Sequence, residues 1–170
     1  MTKIGIFYGS STGITRKISL ELAEILEISY CDIHNIAKVS ISDLLSYDLL
    51  LLGSSTWGSG DLQDDWEKFL PRLEQENLSD KTIGIYGSGD ETMQFTFCDA
   101  VGILYERLQQ TGAKFIEGID ADPYIFSTSA ALINGKYVGL LLDNINQPDQ
   151  THNRLIQWSK KVMSYINTNK

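Results

Sequence analysis

The sequence is poor in the residues that build several common kinds of site. Its 170 residues include only two cysteines and two histidines. Cys31 and Cys98 lie far apart and form no CxxC pair, so we expect both to be small buried side chains in a reducing compartment. His34 and His152 are isolated from each other in the sequence. The usual ligand spacing of a zinc site is therefore absent, and we predict no metal site.

Positive charge is also scarce. Fourteen Lys and Arg residues face 22 Asp and Glu residues, for a net charge of −8. A nucleic acid is excluded as partner because too few cations could neutralise its phosphates. No apolar run approaches the length of a membrane span, and the N-terminus enters a predicted strand without an apolar signal region. We therefore expect a cytoplasmic protein with no membrane insertion.

The chain does contain a regular alternation of short apolar runs and helical patterns. Strands are predicted at residues 3–8, 29–33, 48–53 and 82–87, with a fifth split between 114–118 and 137–142. Helices are predicted at residues 13–26, 62–76, 100–111 and 150–166, with a shorter one within 37–46. This alternation predicts one α/β domain over residues 1–170. Its doubly wound, five-stranded parallel sheet has the order 2-1-3-4-5 within a three-layer sandwich.

Three predicted strands end in loops of small residues, at 9–13, 53–60 and 87–90. Ligands of open α/β sheets bind outside the carboxyl ends of the strands, so these loops should converge on one site. The first loop is rich in hydroxyls and opens a helix, which suits a phosphate monoester. It lacks the Lys of a Walker A loop, and Gly9 and Gly13 have the wrong spacing for GxGxxG. From this loop alone, an ordinary turn capped by Thr12 is an equally good interpretation.

Together, the loops resemble those of long-chain flavodoxins over essentially the whole chain. The T/S-x-T-G-x-T phosphate loop of that family is matched by Ser10, Ser11, Thr12, Gly13, Ile14 and Thr15. Residues 55–58 resemble the family's P-T-W loop, and residues 87–90 resemble its G-x-G-D loop. Residues 135–143 resemble the segment that resumes the fifth strand after a long insertion, here at about 120–134. The order and spacing of these segments are more specific than any one of them.

The resemblance implies a monomeric, low-potential carrier of single electrons on non-covalently bound FMN. Such a protein is not an enzyme with its own substrate. Residues 10–15 would hold the phosphate, Thr56 and Asp143 would face the ribityl chain, and Trp57 would stack on the flavin. The peptide of Gly58 would turn toward flavin N5 and stabilise a neutral semiquinone, since glycine tolerates both orientations. Other cofactor contacts are expected from Ser55, Ser59, Gly60, Ser88, Gly89, Asp90, Met93, Thr96 and Cys98.

The sequence departs from the family at the residue that covers the second flavin face. Most long-chain relatives have a Tyr there, whereas residues 90–99 contain none. Met93 is the nearest positional substitute and Phe95 is the nearby aromatic. We therefore expect weaker FMN binding and a less negative potential for the first one-electron couple of the flavin. Ser55 stands where the family usually has Pro, which loosens this loop slightly.

Acidic residues follow the second and third loops. They are Asp61, Asp64, Asp65, Glu67, Asp90 and Glu91. Carboxylates near a flavin oppose added negative charge, which implies a strongly reducing second couple. The same face could dock basic-surfaced partners such as a flavodoxin reductase and an acceptor enzyme. An ordinary solvated face would have the same composition.

Two other functions remain open from the sequence. One is an FMN-dependent quinone or flavin reductase of the same fold, which would oxidise a nicotinamide cofactor without a partner protein. The other is a flavodoxin-like module with weakened FMN binding that acts by binding a partner. A receiver-type phosphorylation domain is discarded, because its acidic residues are replaced here by Gly9 and Ser10 after the first strand and by Gly53 and Ser54 after the third.

Overall fold

A computed structural model describes residues 1–120 and 124–168. In chain order its elements are β1 (Ile4–Gly9), α1 (Ile14–Ile25), β2 (Ile33–Asn35), α2 (Ile41–Leu45), β3 (Leu49–Trp57), β4 (Asp61–Leu62), α3 (Asp64–Leu73), β5 (Thr82–Ser88), α4 (Asp99–Leu108), β6 (Lys114–Ile116), β7 (Leu132–Ile133), β8 (Lys136–Tyr137), β9 (Leu140–Leu142) and α5 (Thr151–Thr168). None of these helices is both long enough and apolar enough to cross a bilayer.

The main sheet has the predicted order. Its path is β2-β1-β3-β5-β6, with every neighbouring pair parallel. The fifth position is divided between two strands: β6 pairs with Thr82–Gly84 of β5, and β9 pairs with Tyr86–Ser88 farther along the same strand. This confirms that the fifth strand is interrupted. The described part of the insertion includes the antiparallel ribbon β7-β8, while Pro123 of the predicted segment lies outside the described residues.

Two apolar layers pack against opposite faces of the sheet. Side chains alternate along a strand, so neighbouring Ile6 and Phe7 belong to different layers. Phe7 packs in the layer that includes Trp66 of α3, whereas Ile6 packs in the layer that includes Trp158 of α5. All four side chains are fully buried. Burial of a side chain the size of Ile or Phe stabilises the folded state by about 1.5–3 kcal/mol. The layers support the sheet beneath the loops at its carboxyl edge.

The second strand differs from the prediction. Residues 29–33 were expected to be extended, but Tyr30–Asp32 form a 3-10 turn and the strand begins at Ile33. Cys31 lies in that turn and is exposed, so the prediction that it is buried is wrong. Its thiol instead lies 3.2 Å from the Ser29 hydroxyl. Cys98 is buried, as predicted.

The loop predicted after the third strand is largely a hairpin. β3 continues to Trp57 and pairs with β4, placing Thr56 opposite Leu62 and Trp57 opposite Asp61. Leu62 therefore belongs to a strand, and the helix predicted from that residue begins at Asp64. The second half of the predicted fifth strand, at residues 137–142, also differs from the prediction. Tyr137 lies in the β7-β8 ribbon, and only Leu140–Leu142 rejoin the sheet.

Candidate functional site

A cleft of about 220 Å³ lies at the carboxyl edge of the sheet. It is lined by Thr12, Ile14, Ser55, Thr56, Trp57, Ser88, Gly89, Asp90, Asn144 and Ile145. The three predicted loops therefore do converge, and the segment after β9 supplies a further wall. A depression of about 210 Å³ lies elsewhere, beside Thr2 and Asp48. We take the first cleft as the candidate site because ligands of open α/β sheets bind at the carboxyl edge.

The loop between β1 and α1 is closed by its own hydroxyl. The Gly13 N–H donates to Ser10 Oγ over 3.0 Å, and Gly13 has a φ of +93°. That left-handed conformation favours glycine. Gly13 is the N-cap of α1 and no side chain caps the helix, so the interpretation of Thr12 as its cap is wrong. Thr12 is exposed and lines the cleft instead.

Thr15 lies in the first turn of α1 and is the clearest indication of a ligand. Its side chain is only 1 % exposed, yet within the described part of the chain its Oγ1 has no hydrogen-bond partner. Burying an unpaired hydroxyl costs roughly 1–3 kcal/mol. An anion at the positive end of the helix would accept a hydrogen bond from this group. The residues present therefore fit a phosphate monoester.

The β3-β4 hairpin presents Trp57 to the cleft. The indole Nε1 donates to Ser55 Oγ over 2.8 Å, which fixes one end of a side chain that is 39 % exposed. The hairpin turn places Gly58 at a φ of +50° and Gly60 at +104°. The Gly60 N–H closes the turn by donating to the Trp57 carbonyl over 3.0 Å. The hydrogen bonds of the hairpin therefore fix the position of the Trp57 indole, which forms the aromatic wall of the cleft.

Thr56 contributes a hydroxyl beside the indole. Its Oγ1 accepts a hydrogen bond of 3.1 Å from the Ala100 N–H, at the start of α4. An oxygen that accepts in this way keeps its own proton for a ligand. Thr56 lines the cleft, so a polar chain lying across this wall could use that proton.

The third wall depends on two carboxylates. Asp90 Oδ1 accepts from both the N–H and the hydroxyl of Thr92, and these bonds, the side-chain one foremost, lower the pKa of Asp90. The side-chain amide of Asn146 donates to Asp90 and to Asp143, over 2.8 Å in each case. The wall therefore carries negative charge within a hydrogen-bonded frame.

Asp143 occupies a different place from the one expected. It is fully buried, and besides Asn146 Nδ2 it accepts hydrogen bonds from the N–H groups of Glu91, Ile145 and Asn146. It does not line the cleft. Its carboxylate instead anchors the chain beneath Asn144 and Ile145, which do line the cleft and which the sequence analysis missed. Only the alternation of polar and apolar residues after β9 could have hinted at them.

Several other predicted residues lie away from the cleft. Ser59, Met93 and Thr96 line a neighbouring groove together with Thr92, Gln94 and Phe95. Cys98 is fully buried behind Gly89, where a Cβ would come within 3.1 Å of its Sγ. Burial raises the pKa of this thiol. The Cys98 side chain therefore supports the third loop from below, and a contact between Cys98 and a ligand stays a prediction.

The surface beside the hairpin is acidic. Asp61, Asp64 and Glu67 are exposed, and Asp65 is half-buried. Asp61 belongs to β4 of the hairpin that carries Trp57, and the other three lie in the first turn of α3. Exposed carboxylates in such a group give a negative field that salt screens.

The chain is similar to flavodoxins both in sequence and in structure. The flavodoxin family model matches residues 6–158. Flavodoxin 1 of Azotobacter vinelandii is 43% identical over 163 residues, covering 93% of this chain and 94% of that protein. A flavodoxin of Buchnera aphidicola is 38% identical and covers 99% of both. The crystal structure of Fusobacterium nucleatum flavodoxin bound to flavin mononucleotide superposes with a TM-score of 0.88, at 27% identity, over 97% of this chain and 99% of that one. The chain therefore belongs to the flavodoxin family.

Proposed function

We propose that this flavodoxin carries single electrons on non-covalently bound FMN, between a reductase and acceptor proteins. The observation that carries the proposal is the buried hydroxyl of Thr15 at the start of α1, which has no partner among the described residues and follows Ile14 of the cleft that Trp57 also lines. A phosphate pairs with the first and a flavin ring stacks on the second. The Fusobacterium relative was crystallised with flavin mononucleotide, which supports the same cofactor here.

The phosphate site is built without a cation. Residues 10–15 contain no Lys or Arg, so backbone N–H groups and the hydroxyls of Ser10, Ser11, Thr12 and Thr15 would bind the dianion. Gly13 keeps the loop in its left-handed turn. Neutral donors bind phosphate while adding no positive charge beside the flavin. This arrangement suits a carrier that must release electrons readily.

FMN supplies a ring system that takes up and releases electrons one at a time. Trp57 would stack on this ring and keep water from one face, while Thr56 would donate to the ribityl chain. Gly58 lies at the hairpin turn, where a residue without a Cβ can hold its peptide in either orientation. Its carbonyl would accept a hydrogen bond from a proton at flavin N5. Ser88, Gly89 and Asp90 would lie along the ring edge.

The partners are proposed to be proteins with basic surfaces. The exposed carboxylates Asp61, Asp64 and Glu67 lie beside the hairpin that carries Trp57. Complementary charge mainly speeds encounter and orients the two proteins. We place the exchange in the cytoplasm, since the two cysteines stand as free thiols.

The proposal is tested by titrating the FMN-free protein with FMN and then measuring electron transfer. We expect saturable binding, and reduction of a basic acceptor, cytochrome c, that requires both NADPH-driven flavodoxin reductase and this protein. The rate should fall with added salt. Rapid NADPH oxidation by the FMN-loaded protein alone would instead identify a reductase. Failure to bind FMN would leave a module that acts by binding a partner.

A further inference from the structure

Gln63 is a buried polar residue at the junction of two loops that form the candidate site. It is 2 % exposed and lies between β4 and α3, where it is the N-cap of the helix. A Cβ on Gly9, at the end of β1, would overlap its Oε1. Gln63 does not line the cleft and has no place in the sequence prediction.

The hydrogen bonds of Gln63 fix which way its amide points. Nε2 donates to Ser11 Oγ over 3.2 Å and to Asp65 Oδ2 over 2.9 Å, while Oε1 accepts from the Asp65 N–H over 2.9 Å. A flipped amide would set its oxygen against the Asp65 carboxylate and its NH₂ against an N–H. Asp65 therefore selects one orientation, in which a donor faces Ser11.

This orientation has a consequence for the Ser11 hydroxyl. Because Ser11 Oγ accepts from Gln63, the hydroxyl proton is free to be donated elsewhere. Ser11 is exposed in the loop that fits a phosphate monoester. A phosphate accepts hydrogen bonds and cannot donate them when fully ionised, so a proton directed outward from Ser11 is the arrangement it requires.

Gln63 is also joined to the hairpin. Its backbone N–H lies 3.4 Å from Ser54 Oγ, and the preceding residue, Leu62, pairs with Thr56 in the β3-β4 ladder. The position of the amide is thus set by the same strands that hold the aromatic wall.

We propose that Gln63 is a positioning residue for phosphate recognition, which orients Ser11 so that its hydroxyl donates to the phosphate of FMN. The inference rests on the proposed function. It predicts that changes at Gln63 act on the phosphate and leave the binding of the flavin ring unaltered. Riboflavin lacks the phosphate, so the ratio of the two affinities separates this role from a general effect on the fold.

The test is Gln63→Glu in the full-length chain, freed of FMN. The carboxylate accepts from Ser11, which turns its proton away from the phosphate, and adds a negative charge. We expect the Kd for FMN to rise about 10- to 100-fold. The Kd for riboflavin should stay within about twofold of its value in the unsubstituted protein, which is the deviation expected between sites that do not interact. Gln75→Glu is the matched control: it makes the same chemical change at an exposed position just beyond α3 and should alter neither Kd.

Two further variants keep the proposal open to refutation. If Gln63→Glu does not fold, Gln63→Met removes the donor without adding charge and should still weaken FMN selectively. In a Ser11→Ala background, Gln63→Met should lose most of its selective effect, because it adds no charge and residue 11 no longer has a hydroxyl to orient. Equal weakening of FMN and riboflavin, or no change in FMN affinity, overturns the role of Gln63.

Failure of the proposed function gives a different result. If the unsubstituted protein binds neither flavin, that proposal fails, and calorimetry with inorganic phosphate then decides the role of Gln63. Phosphate binding that is lost in Gln63→Glu supports the role. Equal binding by both proteins, or binding by neither, overturns it.

Discussion

Replacing Thr15 by Val should change protein stability and FMN affinity in opposite directions. Val has nearly the same shape but no hydroxyl, and its helix propensity is close to that of Thr. The Oγ1 of Thr15 is buried within the first turn of α1 and lacks a partner among the described residues. The substitution therefore removes a buried polar group that has no partner in the described part of the chain.

The size of both effects follows from the cost of an unpaired hydroxyl. Burial without a partner costs about 1–3 kcal/mol, so the FMN-free variant should gain up to that much in free energy of unfolding. A hydrogen bond to a charged phosphate contributes about 1.5–3 kcal/mol. Losing it should raise the Kd for FMN by about 10- to 150-fold.

Urea unfolding of the FMN-free protein, in phosphate-free buffer, measures the first effect, and a fluorescence titration with FMN measures the second. Ser19→Ala is the matched control on the same helix. The Ser19 hydroxyl is also buried, but it is paired with the Thr15 carbonyl over 2.7 Å and with the Tyr86 hydroxyl over 2.6 Å. Its loss should destabilise the protein and leave FMN affinity unchanged.

The proposed role of the Thr15 hydroxyl is refuted if Thr15→Val destabilises the FMN-free protein as much as Ser19→Ala does. That result would mean that the Thr15 hydroxyl is already paired in solution. It is equally refuted if the variant binds FMN as tightly as the parent protein, because the hydroxyl would then make no contact with the phosphate.

Four further substitutions test the roles of other residues. Trp57→Ala removes about 1–3 kcal/mol of stacking, so the Kd for FMN should rise about 5- to 150-fold in a titration, and an unchanged Kd contradicts the stacking role. Met93→Tyr supplies the aromatic residue that most long-chain flavodoxins have at this position, and it should tighten FMN binding in the same assay. An unchanged Kd would contradict the expectation that the absence of this Tyr weakens FMN binding. Asp143→Asn sets an NH₂ group against buried donors, and urea unfolding should show a loss of about 1–3 kcal/mol, whereas full stability would mean that its bonds are dispensable. Burial lowers the pKa of His34 below its usual 6.5. The unfolded chain therefore binds the proton more readily than the folded protein does. The contribution of His34 to stability is complete above about pH 6.5 and is lost as the pH falls. His34→Phe should therefore flatten the dependence of the urea midpoint on pH between about pH 7 and 5, and an unaltered slope assigns that dependence to other groups.

The strand order could be predicted because buried parallel strands are continuous apolar runs. Leu49, Leu50, Leu51 and Leu52 are buried on both faces of the sheet, as their sequence indicates. Small residues at the ends of neighbouring strands then located the cleft, since such ends meet at one edge. Physical rules about strands and their ends thus sufficed for the fold and for the position of the site.

The finer features depend on partners that the sequence does not reveal. Residues 54–57 have the composition of a loop, yet all four belong to β3, and Thr56 and Trp57 pair with β4 because Gly58 and Gly60 supply a tight turn. Cys31 is exposed because a 3-10 turn delays the edge strand by a few residues. Gln63 looks like an ordinary polar residue at a helix start, and only its contact with Ser11 shows otherwise.

Stepwise reduction of the FMN-loaded protein, monitored by its visible spectrum and by the potential of the solution, shows whether this flavodoxin carries single electrons on FMN. We expect a stoichiometric FMN complex that accepts electrons in two separate one-electron steps, with the second step at the more negative potential because carboxylates border the cleft. A single two-electron step would contradict the assignment as a one-electron carrier. A protein that stays colourless with added FMN would contradict the cofactor itself.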